Sequence, residues 1–426
     1  MENGFSFKIL SLLLVGSYLF SQPADAQSTS KFPVRFHGFL LGNFAARTGE
    51  PGEKEGGRFL WADERLRLEA AGKTGTGSLA FLLKGDLFHD AVANQPDGEL
   101  REGYLDYSRS WLDLRLGRQI VTWGVGDLLF INDVFPKDWN AFFSGRPLEY
   151  LKVGVDAAKL RVATPAFNAD LVVIPFFTPD NLPSPKRFFF FDPLATVRNR
   201  VLREPSSTTG NTEFALRVYR RSFGSDVSLY AYRGYWRQPS FRPDQFPSPV
   251  QLQGFYPRLA VYGASAQRNV GAGLLSLEAG YYGSKDDRPG ADPAIPNSQF
   301  RTLVGYQRQL ASELTIGAQY YTESLMDYET YKASLPAGFP QQDRIRHLLT
   351  VRLTQFLKYQ TWKLSLFTFY SLSDQDLLLI PEAWHAFTDR LSLAVGATVF
   401  GGQRPDTFFG QFDRNDNVYI VLRFDF

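Results

Sequence analysis

Between residues 63 and 115, ionisable side chains recur on alternate positions: Asp63, Arg65, Arg67 and Glu69; Lys84 and Asp86; Glu102 and Asp106; Asp113 and Arg115. Leu66, Leu68 and Ala70, then Phe81, Leu83 and Leu87, then Leu112, Leu114 and Leu116 fill the opposite parity. A period of two places the two sets on opposite faces of β-strands. The chemistry of such a row is that of a wall. A charge facing hydrocarbon costs ~2–4 kcal/mol, so these groups must line a watered lumen or neutralise one another across strands. Two readings stay open: a pore wall whose arginines attract anions, and a ladder of ion pairs that braces the barrel. Arg217, Arg301, Arg346, Arg352 and Arg423 have inward parity with fewer acidic neighbours in register. A guanidinium is always charged and forks onto carboxylate or phosphate, which tilts the reading toward anionic solutes. Parity slips between Ala157 and Arg161, so a bulge is expected there and Lys159 and Arg161 receive no face.

Catalytic patterns do not assemble. His37, His89, His347 and His385 are scattered, without the H-E-x-x-H spacing of a metal site, and there is no cysteine to pair or to ligate. Gly271-Ala-Gly273 imitates a dinucleotide loop but falls in a hairpin turn. No enzyme activity, metal or cofactor is expected, and no residue is assigned a catalytic role.

The elements that must carry the alternating rows are strands of about ten to fourteen residues. They are expected at 34–47, 58–72, 77–89, 99–108, 111–121, 151–163, 168–176, 212–222 and 225–235. The second half continues 255–267, 272–284, 298–309, 312–325, 344–357, 361–372, 376–387, 391–402 and 417–426. Connections alternate short and long, Ser373 to Gln375 being the short member of the long series. Short turns at one end and long loops at the other are the asymmetry of a single-chain transmembrane antiparallel β-barrel. Eighteen strands bring both termini to one side and closure removes the edges; sixteen remain if 376–402 is one bent hairpin.

Mean hydropathy is only −0.22, yet alternation hides a barrel's hydrophobicity from any window average. Aromatic residues make up 15% of the chain, with 38 Phe and 20 Tyr, which suits interfacial girdles. A net charge of +2 is too balanced for a nucleic-acid partner. Lys8, the apolar run Ile9 to Phe20 and Ala24-Asp25-Ala26 read as a secretory signal peptide over residues 1–26, leaving one domain, 27–426. In Asn417 to Phe426, Val418, Ile420, Leu422, Phe424 and Phe426 share one face while Arg423 and Asp425 take the other. A strand of that form ending in Phe resembles the signal read by the barrel-assembly machinery of the Gram-negative outer membrane, so that machinery and outer-membrane lipid are the expected partners.

One stretch stands apart: Leu116-Gly-Arg-Gln-Ile-Val-Thr-Trp-Gly-Val-Gly-Asp127, then Asn132-Asp133-Val-Phe-Pro-Lys-Asp138. Its G-R-Q-x-x-x-W-G and N-x-x-x-P-x-D patterns resemble the alginate-export-type outer-membrane porins and their uncharacterised barrel relatives. The resemblance covers residues 117–138. It implies a monomeric channel whose post-motif loop helps shape the pore, with Arg118, Trp123, Asp127, Asp133 and Asp138 at matching positions. The substrate does not carry over. Physically, Trp123-Gly124 suits an aromatic anchor before a bend and the aspartates suit capped turns, so the segment either folds the loop or touches solute.

Lys186-Arg187 followed by Phe188 to Phe191 places four apolar rings in a long loop, where they pack on the rim, plug the mouth or meet lipid. The expectation is an outer-membrane porin passing small polar, anionic solutes. The alternatives are a transporter of apolar compounds and a structural or adhesive barrel with a plugged lumen.

Overall fold

The computed structural model describes residues 33–49, 57–245 and 247–426; the signal-peptide reading of 1–26 lies outside them. The chain forms β1 (Val34–Arg47), β2 (Phe59–Lys73), β3 (Leu79–Asp90), β4 (Gln95–Arg109), β5 (Leu112–Gln119), β6 (Val155–Ala163) and β7 (Asn168–Ile174). Then follow β8 (Asn199–Leu202), β9 (Glu213–Ser222), β10 (Ser225–Tyr235), β11 (Ser240–Pro243), β12 (Gln251–Phe255), β13 (Arg258–Val270) and β14 (Gly273–Ser284). The last are β15 (Gln299–Ala311), β16 (Leu314–Leu325), β17 (Ile345–Leu357), β18 (Trp362–Ser371), β19 (Asp376–Ala386), β20 (Leu391–Gly402) and β21 (Asn417–Asp425). Two short helices, α1 (Trp139–Phe143) and α2 (Tyr328–Ser334), lie in loops.

Eighteen of these strands form one closed sheet, each antiparallel to the next, with β1 pairing both β2 and β21. β8, β11 and β12 form a separate three-stranded sheet within the long loops. Every expected strand is present. The loop expected at 90–98 is shorter, because Asn94 takes a left-handed turn (φ 53°) and β4 begins at Gln95. Closure is completed by Phe426, whose N–H donates to the Gly38 carbonyl at 3.0 Å while the Gly38 N–H donates to the Phe426 carbonyl at 3.1 Å. A Cβ on Gly38 would lie 2.6 Å from the Phe426 ring, so glycine makes room for that ring.

The bulge expected at Ala157–Arg161 is not there. β5 and β6 pair without a register shift from Leu112↔Val162 to Gln119↔Val155. The inward face itself changes character along the strand: Lys159 and Arg161 face the lumen near the short turns, whereas Val155 and Ala157, on the same parity, are buried against an inward-folded segment. Period-two reasoning assumed a polar interior throughout and so mistook apolar interior packing for a slip. Shifts occur instead at Ala45/Ala46, Lys84/Gly85 and Gln309/Ala311.

Candidate functional site

The chain from Ile120 to Gly154 leaves the wall after β5 and folds into the barrel. Gly117, at φ +124°, lets β5 approach the Gly103 carbonyl too closely for any side chain, and Gly124, at φ +82°, turns beneath the Glu278 carboxylate. Backbone groups carried into an interior must find partners, and Glu278, Gln319 and Tyr282 of the wall supply them. Glu278 of β14, 3% exposed, accepts from the N–H groups of Val125 (2.8 Å), Gly126 (3.0 Å) and Asn132 (2.8 Å) and from Asn132 Nδ2 (2.9 Å). Gln319 of β16 accepts from the Asp127 N–H at 2.7 Å and donates to the Asp127 carbonyl at 2.9 Å. The Tyr282 hydroxyl donates to the Ile131 carbonyl.

Two glycines make the seat. Gly263 and Gly280 are cross-strand partners on β13 and β14. A Cβ on Gly263 would fall on Asn132 Oδ1, and one on Gly280 would lie 2.7 Å from Ile131 Cγ2. The wall is therefore notched where Ile131 and Asn132 press against it. Beyond them, Asp138 caps α1 by accepting from the Ala141 N–H at 2.9 Å. Phe142 and Phe143 of α1 pack on Phe369, Phe400 and Phe412.

The far end of the segment is latched by charge. Tyr150 is buried with the guanidinium groups of Arg146 (4.5 Å), Arg65 (4.8 Å), Arg67 (5.1 Å) and Arg101 (5.2 Å) around its ring. Asp86 accepts from Arg65 at 2.8 Å and from Arg67 at 2.6 Å; Asp63 accepts from Arg65 at 3.0 Å and from Arg146 at 3.2 Å. Burial pushes the Tyr150 hydroxyl well above its ordinary pKa, so it stays protonated. Asp133 is held between Lys152 and Lys137, the latter at 3.1 Å, and burial pulls the Lys137 ammonium down to about 8 against the attraction of Asp133.

On either side of the segment lies a cavity. The outer chamber, about 580 Å³, sits toward the long loops, walled by Trp139, Trp236, Arg301, Arg346 and Phe408 among others. The inner chamber, about 440 Å³, sits toward the short turns and has Arg146, Arg352, Lys363, Glu382 and Arg423 in its wall. Leu128 and Phe142 border both. Leu128 is held at φ +57°, a conformation branched side chains rarely adopt.

Of the fifteen residues given inward parity, Arg301 and Arg346 border the outer chamber and Arg352 and Arg423 the inner one; Arg352 pairs with Asp127 at 2.9 Å. Arg65, Arg67 and Asp86 belong to the sealed latch. Lys84 pairs with Glu102 at 3.3 Å, and Arg115 with Asp106 at 2.7 Å while stacking on Tyr104 at 3.7 Å. Asp113 stands opposite Arg161. Arg217 donates to Ser228 Oγ at 3.1 Å. Among the motif residues, Arg118 pairs with Asp156 at 3.2 Å and Trp123 is buried between Phe135 and Tyr230; of these only Asp133 reaches a chamber wall. Glu278, Gln319, Tyr150 and the Gly263–Gly280 notch were not singled out from sequence. In the four-Phe loop, Phe188 is 1% exposed and packs on Phe412, while Arg187 reaches down to Asp90 and stacks on Trp61. The loop is thereby fastened to the ends of β1, β2 and β3.

Removing one member of a buried ion pair costs roughly 3–5 kcal/mol. Asp86→Ala, which strands Arg65 and Arg67 together, is expected to lower the barrel's urea unfolding midpoint markedly. An unchanged midpoint would contradict the latch.

The fold is thus a closed eighteen-stranded antiparallel barrel with the segment from Ile120 to Gly154 folded into its lumen. Residues 89–392 match the family described as a protein of unknown function, DUF1302, and the chain belongs to that family. No curated protein matches it in sequence. In fold it is similar to Pseudomonas aeruginosa OccD3 (OpdP), at TM-score 0.55 and 8% identity over 92% of this chain and 91% of that one. It is likewise similar to P. aeruginosa OccK11 (OpdR), at TM-score 0.54 and 10% identity over 92% and 95%.

Proposed function

We propose that the chain is an outer-membrane channel through which small polar solutes, anions preferentially, pass between the two chambers at the Leu128–Phe142 neck. The observation that carries this reading is the pair of cavities, one toward each end of the lumen, with only those two side chains common to both walls. Membrane placement is supported by the outward face of β13. Arg258 and Arg268 bracket Ala260, Tyr262, Ala264 and Ala266; at ~3.3 Å per residue and a tilt of ~40° the two arginines stand about 25 Å apart along the membrane normal, the height of a barrel's apolar band. The resemblance of residues 117–138 to alginate-export-type porins supports the part given to the inward segment, without naming a substrate.

The anion preference is assigned to the inner chamber. Arg146, Arg352, Lys363 and Arg423 line it against Glu382. Each of these cations is paired, Arg146 with Asp63, Arg352 with Asp127, Lys363 with Glu382 and Arg423 with Glu149 and Asp425, but only Glu382 among the partners is in the chamber wall, so the excess is modest; low-dielectric walls focus what field remains. Under a salt gradient the reversal potential is expected to have the sign of anion selectivity and to shrink in Arg352→Ala with Lys363→Ala. It should stay unchanged in Arg65→Ala with Arg115→Ala, which border neither chamber. Cation selectivity, or a loss confined to the second pair, would overturn the assignment.

The rival reading, a structural barrel whose lumen is plugged, draws on the same inward segment and predicts no passage of solute. Proteoliposome swelling in small sugars or amino acids separates the two: measurable swelling supports the channel, and none supports the plug.

A further inference from the structure

The outward faces of β9, β10, β13, β14 and β15 carry no acidic residue: Glu213, Asp226 and Glu278 all lie on the inward parity. At the short-turn end of that face stand three arginines, Arg220 on β9, Arg268 on β13 and Arg308 on β15, each exposed. None of their guanidinium groups has a hydrogen-bond or ion-pair partner among the described residues, whereas Arg258, at the opposite end of β13, pairs with Asp286. They sit on every second strand of the sheet order β9-β10-β13-β14-β15, hence about 10 Å apart laterally.

Beyond Arg268 and Arg308 the wall stays apolar: Val270 and Leu310, the next outward positions, are 45% and 50% exposed. Beyond Arg220 comes Ser222 and then Phe223, 95% exposed at the turn. Arg268 and Arg308 are therefore flanked by apolar surface on both sides, Tyr262 and Tyr306 behind and Val270 and Leu310 ahead, and Arg220 has Phe223 ahead past Ser222. An unpaired guanidinium in such a setting is costly unless an anion meets it, and its fork matches phosphate oxygens.

We propose that this face binds anionic phospholipid of the inner leaflet, with Arg220, Arg268 and Arg308 each engaging headgroup phosphate while the acyl chains lie along Leu216, Ala264 and Val304. The inference rests on the membrane placement proposed above and does not depend on the barrel conducting. Zwitterionic lipid offers the same phosphate, but its choline or ethanolamine cation opposes a row of arginines bare of any acid, so the preference is for net negative headgroups.

The test uses the full-length barrel in dodecyl maltoside micelles doped with phosphatidylglycerol or with phosphatidylcholine, following the temperature at which the folded, fast-migrating band is lost on electrophoresis. Phosphatidylglycerol is expected to raise that temperature by several degrees more than phosphatidylcholine, an advantage lost at ~1 M salt. The advantage should vanish in Arg220→Gln, Arg268→Gln, Arg308→Gln. It should persist in Arg233→Gln, Arg258→Gln at the other end, and circular dichroism at low temperature verifies that both variants are folded. Equal shifts from the two lipids, or a triple variant that keeps the advantage, would overturn the proposal; soluble polyglutamate matching phosphatidylglycerol would also overturn it, in favour of an acidic protein partner. Failure of the native barrel to insert into vesicles of either lipid would instead refute the membrane placement, whereas insertion into both without preference refutes this inference alone.

Discussion

Glu278→Ala is expected to convert the barrel to a wider, noisier conductor, with unit conductance raised several-fold and assembly intact. Four donors, the N–H groups of Val125, Gly126 and Asn132 and the Asn132 side-chain amide, converge on that one carboxylate. Leaving a buried donor unpaired costs ~1–3 kcal/mol each. Releasing all four should outweigh what remains on this stretch, chiefly the Gln319 pair on Asp127. The segment would then leave its seat while the strands, whose ladder does not involve the Glu278 side chain, stay closed. Single-channel recording on the folded variant reads this directly. A unit conductance equal to that of the native barrel would show that the segment is held elsewhere or does not restrict the path.

Gly263→Val reaches the same end by steric force. The new Cβ would occupy the position of Asn132 Oδ1 and crowd the Ala279 carbonyl at 2.7 Å; the ladder backbone resists displacement more than a loop side chain, so Asn132 is the group that yields. Expelling it breaks the bond from its Nδ2 to Glu278 and the one to the Ala279 carbonyl at 3.1 Å. Conductance should again rise several-fold. Because both substitutions act on one contact, their effects should not add: the double variant is expected to conduct no more than the more open of the two singles. Full additivity would place Gly263 and Glu278 in separate mechanisms.

How much of this was readable beforehand follows from the range over which each interaction acts. β1, β10 and β20 match the expected bounds 34–47, 225–235 and 391–402 to the residue because turn residues such as Thr48-Gly49, Phe223-Gly224 and Asp389-Arg390 bound them. The asymmetry of the connections carried the barrel's closure. Bracing was legible only as one of two readings, since parity shows that Arg65 and Asp86 face inward but not that both end beneath Tyr150, which arrives from more than sixty positions away in the chain. Glu278 lies between Leu277 and Ala279 and reads as one more inward charge; its partners are 146 to 153 residues distant. Gly263 and Gly280 look like ordinary strand glycines until the ladder pairs them. β8, β11 and β12, of four or five residues each, carry too little alternation to register. The motif at 117–138 did mark the segment that enters the lumen, yet of its highlighted residues Trp123 and Asp138 serve to fold it, and Asp127 bears on a chamber only through Arg352.

The central claim is a continuous route past Leu128 and Phe142, and planar-bilayer recording of the native barrel beside Leu128→Ala tests it most directly. The account predicts discrete conductance steps for the native protein and larger steps once the leucine is trimmed. Membranes that stay silent with both proteins inserted, or steps of identical size from the two, would contradict it.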